Sequence, residues 1–220
     1  MLIYTLMDKS PYFESRLTVG KELAEQIAKF DYNDTAILAL SPGGVVIAAQ
    51  IASKLHNDVN MLLLKHVYLP DGKTAIGIMN ENGWFTYDDS MPVSQVEEFE
   101  IEYRNSLEAS RMEAVHQLHA INHKGSIDAH KFKNKNVVIV NDFAKTGTAF
   151  HAALDFLKPI KTKSIILVTA VAQLGAIDVM HHLGDRLFIS HATDKDFPPE
   201  HYFAENVVPD TETLLSIMKQ

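Results

Sequence analysis

Residues 137–150, Val137-Val138-Ile139-Val140-Asn141-Asp142-Phe143-Ala144-Lys145-Thr146-Gly147-Thr148-Ala149-Phe150, decide the fold. Val137 to Val140 form an unbroken β-branched run, the pattern of a strand covered on both faces. The strand is expected to end there, with Asn141 and Asp142 on its carboxyl edge offering oxygens suited to ribose hydroxyls or a hydrated cation. Thr146-Gly147-Thr148 then leads into a helix beginning near Ala149. Backbone N–H groups at a helix start lack intrahelical partners, and the helix dipole favours negative charge beside them. Gly147 lets the backbone approach closely and the Thr146 and Thr148 hydroxyls add donors, so the segment can cup a phosphate. The plainer reading is a strand-turn-helix junction in which Asp142 and the threonines only cap the helix.

Outward from this segment, apolar strands alternate with amphipathic helices. Helices are expected at 17–29, with Leu17, Leu23, Ile27 and Ala28 on one face, and at 45–55, 149–157, 176–183 and 211–218. Strands are expected at 35–40, 59–64, 164–170 and 186–190. Between them lie a Gly- and Asn-containing stretch at 71–83 and a long helical pattern from Ser94 to Ala120. Alternation with short connections predicts an α/β protein with a mostly parallel, doubly wound sheet, whose ligands bind beyond the carboxyl ends of the strands. Residues 1–220 read as one domain, with a helical and hairpin insertion over about 66–130 forming a hood or arm.

A second junction obeys the same logic. The strand Thr35–Leu40 runs through Ser41-Pro42-Gly43-Gly44 into the helix Val45–Leu55. Two adjacent glycines remove both Cβ atoms and expose consecutive N–H groups to an anion, although Pro-Gly-Gly is also common in plain tight turns. Two strand-glycine-helix junctions in one chain suggest a ligand with two phosphate-like ends.

Composition narrows the function. The chain has 220 residues, 46% of them apolar, enough for a full core. Its formal net charge of −8 argues against nucleic-acid binding, which needs a basic footprint, but leaves a small phosphate ligand open. With no cysteine there is no disulfide, thiol nucleophile or Cys-type zinc site. The start Met-Leu-Ile-Tyr lacks the basic region of a secretion signal, and no apolar run approaches the roughly 18 residues of a membrane span. The expectation is a soluble cytoplasmic protein with no membrane partner.

The hydrophobic strand, the Asn141-Asp142 pair, three further residues and Thr146-Gly147 resemble the signature loop of the type I phosphoribosyltransferases. Gly43-Gly44 lies where their pyrophosphate loop would lie. The chain is most similar to uncharacterised bacterial members with a long helical insertion, through Phe13, Arg16, the 40–45 and 62–65 segments, Ala75-Ile-Gly-Ile78, Arg111-Met-Glu113, the 137–150 loop and Tyr202. The resemblance implies that phosphoribosyl diphosphate, with magnesium, loses pyrophosphate while a nitrogen base takes the anomeric carbon. Ala144, Lys145, Thr146, Gly147 and Thr148 would hold the 5-phosphate, with Phe143 beside them, and Asn141 and Asp142 would hold the ribose hydroxyls and be the catalytic pair. Pro42, Gly43 and Gly44 would meet the pyrophosphate, with Lys65 a candidate for its charge; no direct metal ligand is assigned.

Three positions depart from the family pattern. Asn141 replaces an acid and loses its charge. Pro42 stands where the family usually has Arg, removing a cation and a backbone donor. Ala149 replaces a usual threonine, while Lys145 could restore positive charge. At roughly 1.5–3 kcal/mol for a charge-assisted hydrogen bond, two or three lost contacts lower affinity by orders of magnitude. Two functions therefore stay open: a transferase, or a non-catalytic protein of the same fold that senses a phosphorylated ribose or nucleotide. A hydrolase passing the ribosyl group to water is a third.

Other features are read as structural. Gly72-Lys73-Thr74 lacks the first glycine of a P-loop, Val67 standing in its place. Glu113, His116, His119 and His123 share a helix face but form only half of a paired di-metal motif. His181, His182 and His191 lack partners at recognisable spacing. Trp84-Phe85-Thr86-Tyr87 reads as a hairpin packed on the core. The 94–120 pattern carries an apolar stripe that suggests a homodimer through this arm, and Arg104, Arg111 or Glu113 could reach the ligand.

Overall fold

Residues 3–6, 12–30, 33–121, 127–211 and 213–214 are described by the computed structural model. In chain order the first elements are β1 (Ile3–Leu6), β2 (Phe13–Ser15), α1 (Arg16–Ile27), β3 (Thr35–Ala39), α2 (Pro42–Leu55) and β4 (Val59–Met61). The middle supplies β5 (Leu64–Tyr68), β6 (Ala75–Asn80), β7 (Phe85–Tyr87), α3 (Val93–Glu102) and α4 (Arg104–Ile121). The remainder supplies β8 (Asn136–Ala144), α5 (Thr148–Leu157), β9 (Ser164–Gln173), α6 (Leu174–Leu183), β10 (Arg186–Thr193) and β11 (Phe203–Glu205).

Six strands pair in parallel in the order β1-β10-β9-β8-β3-β4, which is the expected doubly wound α/β sheet. The period of two along each strand sorts side chains to opposite faces. Ile37, Ala39, Val138, Val140, Ile166 and Val168 join one apolar cluster with α1 and α2. Leu38, Val137, Ile139, Leu167, Leu187 and Ile189 join the other with α5 and α6. Val137 to Val140 are fully buried, each worth about 1.5–3 kcal/mol over exposure.

From β3 the chain moves outward to β4, and from β8 it moves the opposite way, to β9 and β10. The carboxyl ends of β3 and β8 therefore flank the switch point, where a crevice opens. The Leu40 N–H donates to the Val140 carbonyl at 3.0 Å, holding the two junctions side by side. The inserted segment builds a separate antiparallel sheet, β5-β6-β7, with α4 packed on β5 and β6 and α5 packed on β6 and β7.

Several boundaries differ from expectation for physical reasons. The strand expected at 137–140 continues to Ala144, because β9 extends beside it and pairs Asn141 with Thr169 and Phe143 with Val171. Pro42, Gly43 and Gly44 form the first turn of α2 rather than a loop, with Ser41 as its cap; proline is well placed there, since its missing N–H needs no partner. The strand expected at 59–64 stops at Met61, and Leu64 begins the other sheet. The 71–83 stretch contains β6.

The long pattern at 94–120 is two helices broken at Tyr103 (φ −109°, ψ 20°). On α1, Leu17 and Ala28 face solvent, and the buried face is Arg16, Val19, Gly20, Leu23, Ala24 and Ile27. Among the strands outside the expected pattern are β2 and β11, which pair in parallel, Phe13 against Phe203. The expected helix at 211–218 and His123 lie largely or wholly outside the described residues. No described helix is long and apolar enough to cross a membrane.

Candidate functional site

A cavity of about 560 Å³ opens at the switch point. Pro42, Lys65, Asn141, Asp142, Phe143, Lys145 and Thr146 line it, together with Ser41, His66 and the α4 residues Leu118 and Ile121. Sequence candidates from β3–α2, β5 and β8–α5 thus come together. Gly43, Gly44, Ala144, Gly147 and Thr148 lie buried behind the wall. A larger cavity, of about 800 Å³, lies between β7, α3 and α5 and shares no lining residue with this one. We assign the site to the smaller, because both strand-to-helix junctions open into it.

The β3–α2 junction is tightly knit. Ser41 caps α2, its Oγ accepting from the Gly44 N–H at 2.9 Å. The same hydroxyl is 2.7 Å from Asn141 Oδ1 and 2.7 Å from Asp142 Oδ1. Arg16 Nε donates to Asp142 Oδ2 at 2.8 Å, with the two side chains only 3% and 11% exposed. Arg16 is anchored in turn by Asn206 Oδ1, which accepts from Nη1 at 2.5 Å, and by the Phe203 ring, 4.1 Å below the guanidinium. Both glycines are required by contact rather than by torsion. A Cβ on Gly43 would fall 1.9 Å from Asp142 Oδ2, and one on Gly44 would fall 2.8 Å from the Val140 carbonyl oxygen.

The β8–α5 junction is more open. Gly147 at the start of α5 supplies no side-chain cap, and the Thr148 N–H has only a long contact of 3.5 Å to Thr146 Oγ1, so the first turn keeps the positive end of the helix dipole. Thr146 lines the cavity. The Thr148 hydroxyl is already engaged: it accepts from the Asp89 N–H at 3.1 Å and lies 2.9 Å from the Thr146 hydroxyl. Gly147 is needed because a Cβ would fall 2.1 Å from Val179 Cγ1 on α6. The close approach expected of it is therefore to a neighbouring helix. Lys145 reaches outward to an exposed ion pair with Asp196 at 2.8 Å, and Phe143 stacks on the buried Tyr202 ring at 5.7 Å.

Two histidines complete the surroundings. His66 faces the cavity from β5, and burial holds its imidazole below its usual pKa, Asp88 opposing. His151 on α5 pairs with Asp89 at 2.9 Å, and that hydrogen bond raises its pKa. Local pattern assigned no site role to Ser41 or His66 and none beyond resemblance to Arg16. Their parts depend on distant residues: Asp142 lies 126 positions from Arg16 and 101 from Ser41, and His66 reaches the cavity only through the second sheet.

Residues expected to reach the ligand from the arm do not line the cavity. Arg111 pairs with Glu100 and stacks over Phe85 at 4.2 Å, and Arg104 lies on the outer surface beside them. Glu113 accepts from Gln117, and His119 meets the Glu81 carbonyl. Gly72-Lys73-Thr74 forms a turn capped by Asp71, Gly72 having φ +66°. Among the described residues no group of three or more His, Asp or Glu is arranged to hold a metal ion.

A doubly wound sheet with two strand-to-helix junctions beside one switch-point cavity defines an α/β protein whose ligand site lies beyond the carboxyl ends of its strands. Its lineage is specific: the phosphoribosyl transferase domain profile matches residues 14–182, and the chain belongs to that family. A provisionally named phosphoribosyl transferase of Mycobacterium tuberculosis is 23% identical over 167 residues, covering 72% of this chain and 35% of that protein. The chain thus spans about a third of the length of the curated relatives it matches. TT1426 from Thermus thermophilus superposes with a TM-score of 0.70 at 21% identity, covering 94% of this chain and 97% of that one. The AQ2163 protein from Aquifex aeolicus gives 0.50 at 11% identity over 83% and 77% of the two chains. These likenesses establish the fold.

Proposed function

We propose that the cavity binds a phosphorylated ribose, as phosphoribosyl diphosphate or a nucleoside monophosphate, and that the protein transfers the phosphoribosyl group to a nitrogen base. The observation that carries this reading is the weakly capped start of α5 opening, through Thr146, into a cavity also lined by Lys65 and Lys145. The 5-phosphate would lie on the α5 amides and Thr146. Asp142 has two hydrogen-bonded oxygens, yet an ionised carboxylate has about four acceptor positions, so lone pairs remain for a ribose hydroxyl. Lys65 and the start of α2 would meet the diphosphate, and the protein's part is positioning and charge stabilisation of the leaving group.

Pyrophosphate release from phosphoribosyl diphosphate across a panel of bases, for wild type and Asp142→Asn, tests the reading. Release that the substitution lowers is the expected result. A second reading, a sensor without turnover, is favoured by the neutral Asn141 and by the charge of Asp142 being spent on Arg16. Calorimetric binding of a nucleoside monophosphate with no pyrophosphate release from any base would select it. The same proposal includes a cytoplasmic protein that pairs with a second copy through the arm, where Val93 and Ile101 are 74% and 82% exposed. Sedimentation showing only monomer would remove that interface.

A further inference from the structure

Family resemblance implies a magnesium ion beside the diphosphate, and the donors present do not fit one. Among the described residues Asp142 is the single carboxylate lining the cavity, and its charge is already matched: Oδ2 accepts from Arg16 Nε at 2.8 Å, while Oδ1 lies 2.7 Å from the Ser41 hydroxyl, whose one hydrogen it shares with Asn141 Oδ1 at the same distance. The adjacent acid position is Asn141, whose Oδ1 meets Ser41 and the Asp142 N–H, and whose Nδ2 donates to the Phe143 carbonyl. Arg16 does not line the cavity. It approaches Asp142 from behind, locked by Asn206 and the Phe203 ring.

The ion pair lies in a built notch. A Cβ on Gly43 would fall 1.9 Å from Asp142 Oδ2 and 2.6 Å from Arg16 Nε, so the glycine at the start of α2 makes room for this pair. The pair carries no net charge, Asn141 carries none, and Lys65 remains on the wall, Lys145 there being paired with Asp196. An anionic ligand therefore meets a surface whose negative charge is already cancelled, which is the electrostatic service a divalent cation provides elsewhere.

We propose that Arg16 takes the place of the metal: its guanidinium neutralises Asp142, and the site binds its phosphorylated ribose without magnesium. This rests on reading the cavity as a phosphorylated-ribose site. It also gives Arg16 a task that Pro42, standing where the family usually has arginine, cannot perform.

The test is calorimetric titration of the whole chain with phosphoribosyl diphosphate, and with ribose 5-phosphate as the diphosphate-free control, each once in EDTA and once in excess magnesium. For wild type the two dissociation constants of each ligand should agree within about twofold. In Arg16→Gln, which leaves Asp142 without its cation, affinity in EDTA should fall by about tenfold or more, and magnesium should restore it. Arg16→Lys should remain insensitive to the metal. Tightening of wild-type binding by about tenfold on adding magnesium overturns the proposal, as does an Arg16→Gln protein whose binding is unchanged or is not rescued by magnesium. Should thermal unfolding show that Arg16→Gln does not fold, the wild-type pair of titrations decides alone. Magnesium-dependent binding sinks this proposal and spares the ribose-phosphate reading, whereas no binding in either condition sinks both.

Discussion

The two strand-to-helix junctions at the switch point look alike in sequence and differ in what they leave free. After β3, the cap on α2 is filled by Ser41, and the glycine notch is filled by Asp142 and Arg16. After β8, the start of α5 has only the long 3.5 Å contact of Thr146 Oγ1 to the Thr148 N–H, and Thr146 itself lines the cavity wall. Polar groups satisfied within the protein have little left for a ligand, while a weakly capped helix start offers N–H groups and dipole together. One junction is therefore closed by internal contacts, and the other is the one that our proposal gives to an anion.

The strongest way to break this contrast is Gly43→Ala. The added carbon would displace the buried Arg16–Asp142 pair, and breaking such a pair costs about 3–5 kcal/mol. Urea unfolding should show a loss of that size or no folded protein, and a loss under about 1 kcal/mol would mean that the notch yields easily. Gly147→Ala should cost less, about 1–3 kcal/mol, because the clash is with the Val179 side chain, which can shift with α6. Phosphate binding in that variant should fall only as far as α5 moves.

Thr146→Val separates the junctions by function. One neutral hydrogen bond is worth about 1 kcal/mol, so affinity for ribose 5-phosphate should weaken about fivefold with stability little changed. An unchanged affinity would place the phosphate elsewhere. The smallest effect concerns the tie between the arm and α5. His151 has a raised pKa in the folded state because it donates to Asp89. Its stabilisation is fully present below its unfolded pKa of about 6.5 and is lost as pH rises through the higher folded value. The imidazole is 40% exposed, so solvent screening leaves at most about 0.5 kcal/mol. The thermal midpoint of His151→Gln should trail wild type at a pH of about 5.5 and match it in the alkaline range; a gap that persists there would show packing rather than charge.

Much of the site was legible from residue types, and its errors share one cause. Val137 to Val140 read correctly as a covered strand, but Asn141 to Ala144 read as loop because Asn and Asp are scarce in strands. They are strand residues because β9 extends far enough to pair with them. Gly147 read as a point where the backbone approaches a phosphate, and Gly43 with Gly44 as a place where N–H groups meet an anion. The atoms that approach belong to Asp142, the Val140 carbonyl and Val179, none of which local spacing could identify. Tyr103 looked helical within its stripe, yet it breaks the arm where α4 turns to pack on β5 and β6.

Periodicity and residue type alone determined a doubly wound α/β sheet and two helix starts facing its carboxyl edge, because side-chain period and glycine placement are local properties of a chain. Only the tertiary structure decided which helix start stays open. It also decided that Arg16, 126 residues before Asp142, holds that carboxylate from behind. Burial and hydrogen-bond satisfaction depend on neighbours that folding alone brings together.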